Sequence, residues 1–244
     1  MKPRSLPTAF LLISALAASH AGAADETGLA PPTLAELARK ADFIALAQVK
    51  DTDYRLRREI PVSGSAYLRV LIPYKGDAGE DLVEIYEKGL HGHECYFPNP
   101  TVVEEGRRYL VFLRRDPAEP RRFRGLPEGC AVDVLVDRDN RYAVRLPVTG
   151  LAFSDSLEAL GEPMQFSDAY AIVDDDALPP ALRDSMQAAG QIAPYAQEPQ
   201  LQDKPRSGLS APPAEAPRRW RFTEGVNLTR FRVLMRLDAD KPGR

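Results

Sequence analysis

His91 and His93 stand two residues apart in the segment KGLHGHECYF, residues 88–97, with Glu94 and Cys95 directly after them. In an extended chain, residues i and i+2 share a face, so both imidazoles could reach one Zn or Cu ion. A structural or catalytic site needs a third and usually a fourth ligand. Glu94 would point to the opposite face, and Cys95 has another use as half of a disulfide. The preferred reading is therefore an exposed histidine pair in a loop, with no metal and no other cofactor. A Zn or Cu site on His91 and His93, in a metal carrier or a metal-dependent enzyme, is the alternative.

These two histidines are also the only imidazoles outside the N-terminal leader, which holds the third, His20. A Ser-His-Asp or Cys-His mechanism would have to be built from this one loop. No GxSxG elbow, GxxxxGK[ST] or GxGxxG phosphate loop, or HExxH helix occurs in the 244 residues. The expectation is a protein that is not an enzyme. Its 32 basic and 35 acidic residues leave a net charge of −3, without the basic surplus that a nucleic-acid partner selects. The partner expected is a protein.

Residues 1–23 read as a cleavable secretory signal. Lys2 and Arg4 supply the charged start, residues 9–18 (AFLLISALAA) the apolar stretch, and Ala21, Gly22 and Ala23 the small-residue cleavage site. An apolar run of about ten residues is too short to span a bilayer, which takes about twenty, and no later segment is longer, so no transmembrane segment is expected. No cysteine near the cleavage site invites a lipid anchor. Cleavage before Ala24 removes two positive charges and takes the net charge from −3 to −5. The expected location is the periplasm or the exterior. An oxidising compartment lets Cys95 and Cys130, the only cysteines, pair. Closing a loop of about 36 residues should stabilise the fold by about 3–4 kcal/mol. Free thiols serving a metal or redox site are the other reading, and their spacing is not that of a CxxC dithiol.

The elements that must position this loop follow from pattern. Thr33 with Glu36 three residues later is a capping box, and Leu34, Leu37, Ala38 and Ala41 then share one face of a short helix. The compact apolar run of residues 43–49 (FIALAQV) fits a buried strand. Residues 66–74 and 82–87 follow as strands across the turn KGDAG, with Val83 and Ile85 on one side and Glu84 and Tyr86 on the other. Residues 108–114 (RYLVFLR) are the strongest strand pattern. Residues 132–136 and 142–146 flank DRDN as a hairpin, whose aspartates read as turn formers rather than calcium ligands because the Gly and the distal Glu of a calcium loop are missing.

Beyond Gly150 the pattern shortens. Residues 179–189 predict a helix with Pro180 in its first turn and Gly190 as its stop, preceded by the acidic run Asp174, Asp175 and Asp176. Residues 196–217 are rich in proline and poor in large apolar side chains, as in a flexible linker. Aromatic residues return at 218–237. There Phe231, Val233, Met235 and Leu237 alternate as in a strand, while Leu228, Phe231 and Met235 would suit a helix. The strand is preferred. The cluster Arg218, Arg219, Trp220 and Arg221 reads as a solvated charge run.

The succession of a helix, LARKADFIALAQV, AYLRVLIPYKG, LVEIYEKG, Cys95, EEGRRYLVFLRRD and Cys130 resembles the tissue-inhibitor-of-metalloproteinase, or netrin-like, module of many exported bacterial proteins. The resemblance covers residues 33–148. Its marks are the entry Ala41-Asp42-Phe43-Ile44, the strand end Tyr74-Lys75-Gly76, and Glu105-Gly106 before Tyr109-Leu110-Val111-Phe112. It implies a mainly β protein, a small five-stranded Greek-key barrel of the OB type. Animal members reach the protease zinc through a disulfide-bonded cysteine at the mature N-terminus. A mature chain beginning Ala24-Asp25-Glu26 lacks it, so inhibition by that route is not implied.

The expected organisation is a signal (1–23), an OB-like barrel with an N-terminal helix (24–150), a short helical extension (151–195), a linker (196–217) and a docking segment (218–244). The expected function is a non-enzymatic, exported binding or interaction module of the bacterial envelope. Its contact surface would be the loop of residues 89–100, carrying His91, His93, Tyr96 and Phe97 beside Cys95, with Tyr96 and Phe97 equally able to serve as core. A further alternative is an envelope assembly factor whose segment 220–237 adds a strand or helix to a partner. The residues name neither the ligand nor an oligomeric state.

Overall fold

The structure, a computed structural model, describes residues 30–100, 106–195 and 218–237. The leader assigned to residues 1–23 and the linker assigned to residues 196–217 lie outside them. Among the described residues no helix is long and apolar enough to cross a membrane.

Helix α1 (Leu34–Lys40) forms as its capping box requires. Thr33 Oγ1 accepts from the Glu36 N–H at 3.2 Å, and Glu36 Oε2 accepts from the Thr33 N–H at 2.8 Å. Leu34, Leu37, Ala38 and Ala41 are all buried, the face that the spacing predicts. The chain then enters β1 (Phe43–Arg57), which turns back into β2 (Ile60–Lys75), and β3 (Leu82–Lys88) pairs beside β2. Strand β4 (Arg108–Arg115) lies on the other side of β1. The short β5 (Phe123–Gly125) pairs antiparallel with β4 and parallel with β3, Phe123 opposite Ile85. The cycle β1-β2-β3-β5-β4-β1 is thus a closed five-stranded barrel, mainly antiparallel and OB-like in strand order.

Closure explains why residues 43–49 are apolar without alternation. Phe43, Ala45, Ala47 and Val49 point into the barrel, where they meet Leu68, Ile85, Val111 and Phe123. Ile44 and Leu46 point outward and are covered by α1. A strand buried on both faces has no reason to carry polar residues on either.

Strand β4 divides its outer edge. Residues 113–115 pair with β5, and residues 108–111 pair with β6 (Ala131–Val136). From β6 the sheet leaves the barrel and runs through β7 (Tyr142–Arg145). The next elements are β8 (Glu162–Pro163), β9 (Ile172–Asp174), α2 (Pro180–Ala188), β10 (Ile192–Pro194), β11 (Arg219–Phe222), β12 (Glu224–Asn227) and α3 (Leu228–Met235). Strand β12 completes the sheet between β7 and β8, while β10, β11 and β9 form a separate three-stranded sheet. Leu135 and Ala143, on the second face of the wing made by β6 and β7, pack against Met186 of α2 and Trp220 and Phe222 of β11.

Several local readings hold. Asp137 accepts from the N–H groups of Asp139 and Arg141 at 2.9 and 2.8 Å, so its carboxylate closes the hairpin turn. Helix α2 starts on Pro180 and stops before Gly190, which has φ +75°. Parts of the acidic run and the basic cluster also meet: Arg219 Nε donates to Asp174 at 2.9 Å and Trp220 Nε1 donates to Asp175 at 2.7 Å, while Asp176 and Arg218 are exposed.

The strand preferred for residues 231–237 is wrong. That segment is α3, capped by Asn227 Oδ1 accepting from the Thr229 N–H at 2.9 Å. Leu228, Phe231 and Met235 are buried on one helical face beside α1, while Val233 is turned to solvent. The alternation of residue types was coincidence; burial follows the helical spacing. Residues 218–237 are docked on their own chain through β12 and α3, so lending a strand to a partner would require leaving the sheet.

If α3 holds the outer core together, emptying its centre must be costly. Phe231→Ala should lower unfolding free energy by about 3–5 kcal/mol, measured by urea denaturation, whereas Val233→Ala, at an exposed position of the same helix, should change it by less than about 0.5 kcal/mol.

Candidate functional site

One end of the barrel gathers the sequence-predicted loop and a feature that the sequence reading missed. Strand β1 runs beyond Val49, where the apolar pattern ends, and β2 begins before residue 66; the two meet at Arg58 and Glu59, both with positive φ, 51° and 68°. Successive positive φ values are the geometry of a tight primed hairpin turn, in which Asn-Gly is usual because other residues are strained there. Arg-Glu gave no such signal. Beside this turn Leu56 is 63% exposed and Ile60 52% exposed. Gly64 lies opposite Tyr54 with φ +135°, and a side chain there would run into the Asp53 carbonyl, so the hairpin needs glycine at this position.

The loop after β3 is fastened to this hairpin. The Gly89 N–H donates to the Val62 carbonyl at 2.9 Å. Tyr96 donates its hydroxyl to the Gly89 carbonyl at 3.0 Å and packs edge-on against Tyr54 at 5.1 Å. The Phe97 N–H donates to the Tyr54 hydroxyl oxygen at 3.0 Å. Leu90, at the turn out of β3, is 58% exposed. Leu56, Ile60 and Leu90 therefore sit on two elements bonded to each other.

Beneath the loop lies Glu87. It continues the inward alternation of Val83 and Ile85 and is 5% exposed. A buried carboxylate needs donors, and it receives them from the Lys88 N–H at 2.8 Å and the Cys95 N–H at 3.1 Å. His91 Nε2 lies 3.1 Å from its Oε1. Gly92 and His93 form a turn in meeting this requirement. The extended geometry that would put His91 and His93 on one metal is thus not adopted: His91 faces Glu87 and His93 is exposed. Among the described residues no group of three His, Cys, Asp or Glu side chains is placed to hold a metal ion.

Cys95 and Cys130 form the disulfide, with Cα atoms 5.9 Å apart and both residues buried. Gly125, the last residue of β5, lies against it, and an added Cβ would collide with Cys95 Sγ and Cys130 Cβ. Phe97, expected as a possible contact residue, is a core residue: it is buried and packs edge-on against Tyr109 at 5.0 Å. Tyr96 is half-buried. Burial pushes the Tyr54 hydroxyl up to about 12, the neighbouring Tyr96 and Glu87 adding to the rise while the Phe97 N–H opposes it.

No protein-family model, no curated protein and no solved structure matches the chain.

Two outcomes test this construction. Gly125→Ala should leave part of the protein unable to close the Cys95–Cys130 bond, read as free thiol after denaturation, and should destabilise the remainder by about 1–3 kcal/mol through overpacking. Tyr54 is ordinarily protonated below about pH 10 and its folded-state value is higher. Its contribution is therefore complete below pH 10 and lost as the pH rises toward 12. The urea midpoint should fall across that window, and fall less steeply in Tyr54→Phe.

Proposed function

We propose that this chain is a non-enzymatic, exported binding module of the bacterial cell envelope, periplasmic or secreted after loss of residues 1–23, and that its partner is a protein. The proposal includes a netrin-like relationship for the barrel, supported by the strand order and by the disulfide linking the loop after β3 to the start of β6. The observation that carries the binding reading is that Leu56, Ile60 and Leu90 are all exposed at one end of the barrel, Ile60 on the hairpin face it shares with Arg57 and Leu56 on the other face. Large apolar side chains left in water on two mutually fastened elements mark contact surfaces more often than scattered exposed residues do. Arg55, Arg57 and Arg58 surround the tip, all exposed, and arginine with apolar side chains is what protein interfaces enrich. A partner offering an apolar pocket with an acidic rim fits this chemistry.

The trio is held on a base that binding need not order. Tyr54, Tyr96, the Glu87 carboxylate and the disulfide fix the loop and the hairpin before any partner arrives, which lowers the entropic cost of association. The histidines take a minor part: His93 is available to a partner, while His91 is engaged by Glu87.

Site-specific photocrosslinking in the periplasm tests the proposal. A photoreactive residue at position 56 or 90 should give a discrete protein adduct, and the same residue at position 82, also exposed but at the far end of β3, should give none. Ile60→Asp should abolish the adduct without lowering thermal stability. Absence of adducts at 56 and 90, or equal labelling from 82, would refute the assignment.

A further inference from the structure

Helices α1 and α3 lie side by side on the outer face of the sheet, and a cavity of about 710 Å³ opens beside them near the end of β2. That volume is within the range of small-molecule sites, about 300–1,000 Å³. Its walls are mainly apolar: Ala35 and Ala38 from α1, Tyr74 from β2, and Leu234, Met235 and Leu237 from α3 and the residues after it. Val233, 72% exposed, stands on the same wall, a large apolar side chain facing solvent on a helix that otherwise buries its apolar face.

The charges around the cavity are not balanced in what they offer. Glu36 and Asp155 line it, but both carboxylates are committed to the start of α1. Glu36 Oε2 accepts from the Thr33 N–H at 2.8 Å and from its hydroxyl at 3.1 Å, and Asp155 Oδ2 accepts from the Leu34 N–H at 2.6 Å. The cations are less engaged. Lys75 Nζ donates to the Ala38 and Arg39 carbonyls at 2.8 and 3.1 Å, two of the three bonds that an ammonium can make. Arg39 has one long ion pair, 3.8 Å to Glu36, on a solvent-exposed side chain. Arg236, which ends α3 in the left-handed conformation with φ 53°, is exposed and has no ion-pair partner among the described residues.

An apolar trough with three cations at its rim, of which Arg236 has no ion-pair partner among the described residues, and with its own carboxylates occupied complements a molecule with an anionic head and an apolar tail. We infer that this cavity binds a single-chain amphiphilic carboxylate of the fatty-acid type, its head among Arg39, Lys75 and Arg236 and its tail along Tyr74, Leu234 and Met235. The cavity is built by other residues than the hairpin and loop, so this inference stands apart from the protein-binding surface at the barrel end.

The mature full-length chain, titrated with dansylated undecanoate as a fluorescent probe, tests the inference. Micromolar binding is expected, with displacement by decanoate but not by decanol, which has the tail without the charge. The double variant Arg39→Gln with Arg236→Asn should bind the probe at least tenfold more weakly. Asparagine is chosen at 236 because it tolerates the left-handed conformation, and both sites are exposed, so a melting curve matching the parent is expected. Val233→Asp should weaken the probe in the same way by placing a negative charge on the wall. Displacement by decanol as effective as by decanoate, an affinity unchanged in the double variant, or binding of an acidic amphipathic peptide in place of the probe would overturn the inference.

Discussion

One edge of β4 is asked to hold two strands. Its residues 113–115 pair with β5, which closes the barrel, and its residues 108–111 pair with β6, which leads out of it. Between them the chain must leave one pairing line and rejoin another within residues 126–130, and Cys130 stands at the point of return. The disulfide to Cys95 ties that point to the loop following β3, the strand on which β5 closes. Closure itself rests on a single parallel register pair, Ile85 with Phe123. The covalent tie therefore reinforces the weakest seam of the barrel, and Gly125 is the residue that leaves room for it.

A second constraint follows from alternation. In β3 the inward positions are Val83, Ile85 and Glu87, so the sheet period that builds the core also carries a carboxylate under its end. That charge has to be met by donors, and the loop supplies them by folding back so that the Cys95 N–H and His91 reach it. The path of residues 88–95 is set by this need, and with it the separation of the two histidines. The tyrosines Tyr54 and Tyr96 complete the arrangement by fastening the loop to the β1–β2 hairpin. What stands exposed at this end is consequently displayed on a rigid base.

The same physical bookkeeping separates the surfaces that can bind from those that are merely charged. The aspartates at 174–176 and the arginines at 218–221 look from their composition like two interaction patches, yet Arg219 is paired with Asp174, and Asp175 accepts from Trp220 and pairs with Arg183. The features that invite a partner lie elsewhere: exposed apolar side chains at the hairpin tip, and the exposed Arg39 and Arg236 beside the trough lined by α1 and α3.

Elements whose pattern is local were legible from residues alone. The capping box and apolar face of α1, the doubly buried start of β1, the strands at 66–74, 82–87 and 108–114, the Asp137 hairpin, α2, and the Cys95–Cys130 pair all depend on neighbours within a few residues or on there being two cysteines. The arm of β1 and β2 was not legible, because its turn is Arg-Glu and its strands are polar where they pass beyond the core. Nor was β5, whose three residues owe their strand state to β3 and β4 on either side. The sequence by itself determined which residues must be buried and, by holding two cysteines, which disulfide the fold could use. Only the tertiary structure decided that residues 228–235 are a helix, that Phe97 is core, and which apolar side chains stay exposed, because each of these depends on partners far away in the chain.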